Sequence, residues 1–244
     1  MGLDLLRKLA PQLASLGTNN IGLHGIGETL LHPDLREGIE ILRVHNPKTY
    51  MGVSTNGTFL TRKNFDKIEG LVDEISVCID GFDRETYEKH RVGGNLDKII
   101  SNVLDIMECR RELKSKTPRF WLQMIDLGQG EKEKMKFKEF WESKILPQDK
   151  VRFSVLGSFG GQIPGVDKRM QKCSALYSMV SILWDGRLST CCCDSDAMNV
   201  MGDVNVEEIK TIFYNAAYQD MRKKHENGTL QQEKHLLCHT CLAS

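Results

Sequence analysis

The chain has 244 residues, 40% of them hydrophobic, which is enough for one large core or for one core and a smaller lobe. Lys and Arg number 33 and Asp and Glu number 33, so the zero formal charge gives no electrostatic case for a nucleic-acid partner or an anionic membrane. No stretch approaches the roughly 18 apolar residues of a spanning helix, and the expected location is cytoplasmic. Met1-Gly2-Leu3-Asp4-Leu5-Leu6-Arg7-Lys8 has no basic region followed by an apolar run, so it is not a signal peptide. Gly2 follows Met1, but position six is Leu rather than Ser or Thr, which argues against myristoylation.

In chain order, Leu3, Leu6, Leu9, Leu13 and Leu16 predict an amphipathic helix that Pro11 should kink or split. Short β-rich runs follow at Asn20–His24, Tyr50–Ser54, Glu74–Ile79, Arg119–Ile125 and Val151–Leu156. Between them, helical spacing appears at Leu35, Ile39 and Leu42, again from Leu96 to Leu113, and across Lys132–Ile145. Strands alternating with helices predict repeated βα units and a parallel sheet. The first helix has no preceding strand to return from, so it is either a decoration or the companion of a strand outside this polypeptide. Around Gly157–Gly165 the rhythm stops in a Gly-rich connection. Beyond it, Met179–Trp184 and Arg187–Thr190 flank Asp185-Gly186, a tight hairpin signal. A helix is expected over Val206–Lys224, with Asn205 as its N-cap.

Eight cysteines need a chemical reason in a reducing compartment, where disulfides are rare. Cys78 and Cys109 stand alone, within a predicted strand and a predicted helix, and read as buried small hydrophobes. The other six lie in residues 173–244. Cys238 and Cys241 form a CxxC pair, Cys191 closes the hairpin, and Cys173 precedes its first strand. All-thiolate ligation by Cys173, Cys191, Cys238 and Cys241 suits an iron–sulfur cluster or tetrahedral zinc. His235 and His239 are nearby donors that a four-thiolate set does not need. In the run Cys191-Cys192-Cys193 one ligand is expected, and strand alternation would send Cys192 to the opposite face.

Three polar, Gly-rich segments end successive predicted strands, where ligands bind in α/β folds. They are Gly25-Ile26-Gly27-Glu28, Ser54-Thr55-Asn56-Gly57, and Ser76 with Asp80-Gly81. Each alone is an ordinary turn.

Together with the cysteine set, these segments resemble radical S-adenosylmethionine (SAM) enzymes that carry a C-terminal SPASM-type auxiliary-cluster domain. Gly25–Leu35 resembles the family's SAM-binding loop, with Thr29 where proline usually follows the glutamate. Ser54-Thr55-Asn56-Gly57 resembles its STNG turn, and Ser76 through Gly93-Gly94-Asn95 resembles its DG…YE-x-x-R-x-GGN stretch. The resemblance implies a partial (β/α)6-type barrel over residues 1–160, missing its first strand, and a small hairpin and helix cluster domain over 161–244. It implies SAM contacts from Gly25, Gly27, Glu28, Ser54, Asn56 and Ser76, with Gln123-Met124 along the adenine. It also implies one auxiliary 4Fe–4S cluster on Cys173, Cys191, Cys238 and Cys241, and an electron donor such as flavodoxin or ferredoxin. In intact members a CxxxCxxC motif holds a second 4Fe–4S cluster that cleaves SAM, and the resulting 5′-deoxyadenosyl radical abstracts a substrate hydrogen. The substrate would be a peptide, a carbohydrate or a small molecule. No CxxxCxxC occurs in these 244 residues, so the chain as written is expected not to cleave SAM and to be a fragment, a misassigned start or a degenerate homologue. A non-catalytic electron-transfer or substrate-recruitment module and a zinc-stabilised α/β binding protein are the other readings.

Overall fold

The computed structural model describes residues 1–163, 166 and 172–241. Contacts divide the chain into two units, Thr18–Leu156 and a second made of Met1–Gly17 with Gly157–Ser244.

The first unit is an α/β sheet of five parallel strands: β1 (Asn20–Leu23), β2 (Tyr50–Thr55), β3 (Glu74–Cys78), β4 (Arg119–Asp126) and β5 (Lys150–Val155). They stand side by side in sequence order. Each lies within about two residues of its expected position, because alternating apolar residues mark the buried face. That face carries Met51, Val53, Ile75, Val77, Phe120, Leu122 and Met124, all buried. The connections are α2 (Leu35–His45), α3 (Arg62–Phe65), α4 (Arg84–His90), α5 (Leu96–Glu112) and α6 (Glu131–Glu142). They bury Ile39, Leu42, Phe65, Ile99, Val103, Ile106, Phe137 and Trp141. Ring contacts tie helix to strand, Phe65 to Phe120 at 6.1 Å and Phe137 to Phe153 at 5.9 Å. Beneath the sheet's last strands lies an ion pair, Arg110 with Asp149, whose side chains are both 0% exposed.

In the second unit, α1 (Leu3–Ser15) runs as one helix through Pro11 rather than splitting there. Expected with the N-terminal lobe, it packs on the C-terminal residues. Lys8 Nζ donates to the Asn205 carbonyl at 2.7 Å, and Gln12 Oε1 accepts from the Ile209 amide at 2.9 Å. After the short α7 (Ala175–Ser178) come β6 (Ser181–Ile182), β7 (Arg187–Ser189) and β8 (Val200–Asp203), a three-stranded antiparallel sheet. Gly186 turns the hairpin at φ +98°, a conformation that glycine adopts without strain. An added Cβ there would also strike Asn205 Nδ2 at 2.1 Å.

The single helix expected at Val206–Lys224 is two, α8 (Ile209–Phe213) and α9 (Ala216–Glu226). Asn205 is not its cap: its amide bonds the Asp185 carbonyl and Asp203 Oδ1, locking the hairpin turn. Asn215 caps instead, accepting from the Tyr218 amide at 2.8 Å. A one-turn helix, α10 (Cys238–Cys241), ends the described chain. The core is Leu9, Leu176, Leu188, Val204, Ile209, Ile212, Tyr218, Met221 and Leu230, with Cys173 and Cys238 packed against it.

Candidate metal centre and strand-end loops

One cavity of the second unit is lined by Cys173, Leu176, Thr190, Cys191, Asn199, Leu237, Cys238 and Cys241. It brings together all four cysteines singled out from sequence spacing. Its remaining walls are two leucines, a threonine and an asparagine, with no carboxylate and no histidine among them.

Three local devices place the four thiols. Cys238 and Cys241 share one helical turn. That turn is seated on the residues after Gly157, because Thr240 Oγ1 donates to the Gly160 carbonyl at 2.6 Å. Gly161, at φ +81°, passes so close that a Cβ would lie 2.6 Å from Thr240 Cβ. Pro164 and Gly165 of the expected connection, like residues 167–171, lie outside the described residues. The Cys173 amide donates to His225 Nε2 at 3.1 Å, which leaves the ring proton on Nδ1, facing the Tyr177 hydroxyl at 3.1 Å. Cys191 follows β7 in a turn.

Asn199 is the polar keystone of the cavity and is fully buried. Its Oδ1 accepts from the Leu237 amide at 2.9 Å, while Nδ2 reaches Thr190 Oγ1 at 3.3 Å and Cys238 Sγ at 3.5 Å. Its own amide donates to Asp194 Oδ2, which also takes the Ser189 hydroxyl at 2.6 Å. Neither Asn199 nor Asp194 was assigned a role from sequence. The signal available was the Asp194 to Asn199 spacing just after the cysteine run.

The cysteine triplet departs from the alternation argument. Residues 191–193 are in a turn, not a strand, and their three Sγ atoms lie within 4.8 Å of one another. Only Cys191 of the three lines the cavity. Cys192 is exposed, and the Cys193 amide donates to Cys191 Sγ at 3.3 Å.

Electrostatics place these thiols in mutual reach. Burial pushes Cys238 up to about 12, and the Cys173 and Cys241 charges add to it. Burial likewise raises Cys241, with Cys173 and Cys192 contributing. Cys191 is raised strongly through bonds to Cys192 and Cys193, then by burial. Thiols gathered around one cavity form a soft-metal site, since each can give up its proton for a metal ion. Four sulfurs with apolar flanks fit a 4Fe–4S cluster, and they also fit zinc. His239 Nδ1 lies 2.5 Å from the Gln231 carbonyl and His235 is exposed, so neither lines the cavity. Cys78 and Cys109 belong to the first unit, where burial raises both thiols.

In the first unit, the strand-end residues are held by one another. Glu28 accepts from the Leu30 amide at 3.2 Å and the Asn56 amide at 2.9 Å, joining the loops after β1 and β2. Asn56 Oδ1 accepts from the Thr58 amide. Gly25 and Gly27 face open space, where an added Cβ would meet nothing within 4 Å. Asp80 accepts from the Ile125 amide at 3.0 Å and from Arg91 Nε at 2.9 Å, so it ties the loop after β3 to the end of β4 and to the C-terminal end of α4.

Register places Ser54 beside Ser76, and Cys78 beside Gln123 and Arg152, on the sheet face opposite the helices. A chain of polar contacts crosses that face. Tyr50 donates to Glu74 at 2.6 Å, Ser76 donates to Glu74, and Arg152 donates to Ser76 Oγ at 3.3 Å and to Gln123 Oε1 at 2.7 Å. The Arg152 guanidinium lies 4.3 Å from the Trp121 ring centre. Met124, expected beside Gln123 along a ligand, is instead fully buried on the helix face. Polar residues at alternate positions of β3, Glu74 and Ser76, and charges at alternate positions of β5, Lys150 and Arg152, were the signal for this polar face.

Residues 1–125 match the radical SAM superfamily, and residues 173–242 match an iron–sulfur cluster-binding domain, SPASM. Curated relatives include a GTP 3′,8-cyclase of Lactiplantibacillus plantarum, 24% identical over 155 residues, which are 64% of this chain and 45% of that protein. A GTP 3′,8-cyclase of Chlorobaculum tepidum is 32% identical over 119 residues, 49% of this chain and 36% of that one. The chain thus spans less than half the length of these relatives. Among solved structures, BtrN in complex with AdoMet and 2-DOIA has a TM-score of 0.62 at 19% identity, covering 98% of this chain and 79% of that one. The AdoMet-bound anSMEcpe has a TM-score of 0.67 at 13% identity, with 92% and 71% covered. At these identities the likeness is one of fold. Among the described residues no helix is long and apolar enough to cross a membrane.

Proposed function

The chain belongs to the radical SAM superfamily with a SPASM-type iron–sulfur cluster-binding domain, and from that premise we propose that Cys173, Cys191, Cys238 and Cys241 hold one auxiliary 4Fe–4S cluster. The observation that carries this is their convergence on a single cavity free of carboxylate and histidine. The four thiols surrender their protons on loading, so loading weakens as pH falls.

The strand-end residues Gly25, Gly27, Glu28, Ser54, Asn56 and Ser76 are the proposed SAM contacts. Glu28 holds two loops in register, Gly25 and Gly27 leave the backbone open to a ligand, and Ser54 and Ser76 present hydroxyls on the polar face. When bound at a radical cluster, SAM supplies the 5′-deoxyadenosyl radical that takes a hydrogen atom from a peptide, carbohydrate or small-molecule substrate. An electron donor of the flavodoxin or ferredoxin class would serve it. The relatives named GTP 3′,8-cyclase make a nucleotide one candidate within the small-molecule class.

Anaerobic reconstitution with iron and sulfide tests the reading. A brown protein with a reducible, EPR-active cluster is expected, whereas a colourless protein holding one zinc overturns it. These 244 residues contain no CxxxCxxC. With SAM and reductant they are therefore expected to form 5′-deoxyadenosine at background rate, read by liquid chromatography. Turnover above background would contradict this, and a longer chain that supplies the motif should gain the activity.

A further inference from the structure

Arg222 carries a charge that no carboxylate among the described residues balances. It lies on α9 and is 7% exposed. Its Nε donates to the Leu176 carbonyl and its Nη1 to the Phe213 carbonyl, each at 2.8 Å. Its Nη2 is buried with no partner among the described residues. The guanidinium lies 4.1 Å from the Phe213 ring centre and 4.2 Å from that of Tyr218. No described carboxylate pairs with it. The buried carboxylate of the unit, Asp194, is held by the Ser189 hydroxyl and the Met198 and Asn199 amides.

A cation buried against rings and carbonyls recovers only part of its lost hydration. The missing counter-charge has a direction. Leu176, whose carbonyl holds Nε, is a wall of the four-cysteine cavity. His225, three residues on along α9, accepts from the Cys173 amide. Tyr218 feels both groups, since burial pushes its phenol up to about 12, Arg222 opposes the rise and the Cys173 charge adds to it.

We propose that Arg222 is the counter-charge to the cluster held by the four cysteines, a positioning residue that sets the cluster's reduction potential. An all-thiolate cluster is net negative and gains one further negative charge when it takes up an electron, with no proton required. A fixed cation behind the cavity wall, in a low dielectric, favours the reduced form. The inference rests on the cluster assignment above.

The test is a potentiometric titration with dithionite, followed by EPR, on the full chain reconstituted anaerobically as wild type, R222Q and R222K. At the wild-type midpoint, R222Q with full iron and sulfide content is expected to show a reduced-to-oxidised ratio at least tenfold lower, which is 59 mV for one electron. R222K should stay within about threefold of wild type, as expected of a retained charge. A fully loaded R222Q with an unchanged midpoint overturns the proposal, as does an equal shift in both variants. If R222Q does not load, R222M is titrated in its place. If neither neutral variant loads, loading by R222K alone with native circular dichroism in the metal-free neutral variants supports the proposal. Neutral variants that are unfolded without metal overturn it, because the arginine is then only a clamp. Wild-type protein that binds no iron sinks the cluster assignment itself, a separate and visible outcome.

Discussion

Replacing Asp149 by alanine is expected to cost about 3–5 kcal/mol, read as a shift in the urea midpoint at unchanged slope. Asp149 accepts from Arg110 Nη1 at 2.7 Å and Nη2 at 3.0 Å. It also accepts from the Phe120 amide at 2.9 Å and the Leu146 amide at 3.0 Å. The alanine variant strands a guanidinium that is 0% exposed and whose Nε already lacks a partner among the described residues. It also orphans two backbone donors, one of them at the start of β4. The stacking of Arg110 on Phe120, 4.5 Å from the ring centre, and its weak contact with Met107 Sδ at 3.4 Å survive, and neither balances the charge. A loss of this size is a large share of the roughly 5–15 kcal/mol that holds a domain folded. Replacing both partners with apolar residues of similar volume should cost far less, because nothing charged is then left buried. A single-variant loss below about 1 kcal/mol would contradict the account of this pair.

The second large effect is expected on stripping the cluster with chelator and oxidant. Amides of β7, β8 and α9 should then exchange hydrogen at least tenfold faster, about 1.4 kcal/mol of lost protection, while those of β2, β3 and β4 stay unchanged. The C-terminal unit has a small core, and Cys173 and Cys238 pack directly on it. The Cys173 backbone amide is tied to α9 through His225, and the Cys238 thiol to β8 through Asn199, which immediately precedes that strand. Binding to a site that exists only in the folded state is folding free energy. Unchanged exchange in β7 and α9 after complete iron loss would show that the unit does not need its metal.

Much of this was legible from residue order, for reasons that can be named. The five strands stood out because one face is apolar at every second residue, as at Met51 and Val53. The four cysteines stood out because a CxxC pair and two further thiols flanking a hairpin are a soft-metal ligand pattern. Other features were hidden because tertiary partners decide them. The helices α3 and α4 are too short to show a period, although Thr61 and Asp83 cap them locally. Asn205 and Asn215 are equally good caps on paper. The hairpin turn claims the first, and only the second is free to start a helix. Alternation misled at Cys192, since β7 ends at Ser189 and the triplet lies in a turn. Arg222 reads as one more surface cation in a charged helix. Only the packing of Phe213, Tyr218 and Leu176 around it makes it a buried one.

We propose that four particular cysteines of the eight hold one cluster. It is tested most directly by replacing each cysteine singly with serine and counting iron and acid-labile sulfide per chain after anaerobic reconstitution. The account predicts that replacing Cys173, Cys191, Cys238 or Cys241 lowers both counts sharply, whereas replacing Cys78, Cys109, Cys192 or Cys193 leaves them at the wild-type value. Full loading of the Cys191 variant together with loss in the Cys192 or Cys193 variant would contradict it, as would zinc in place of iron in the wild type.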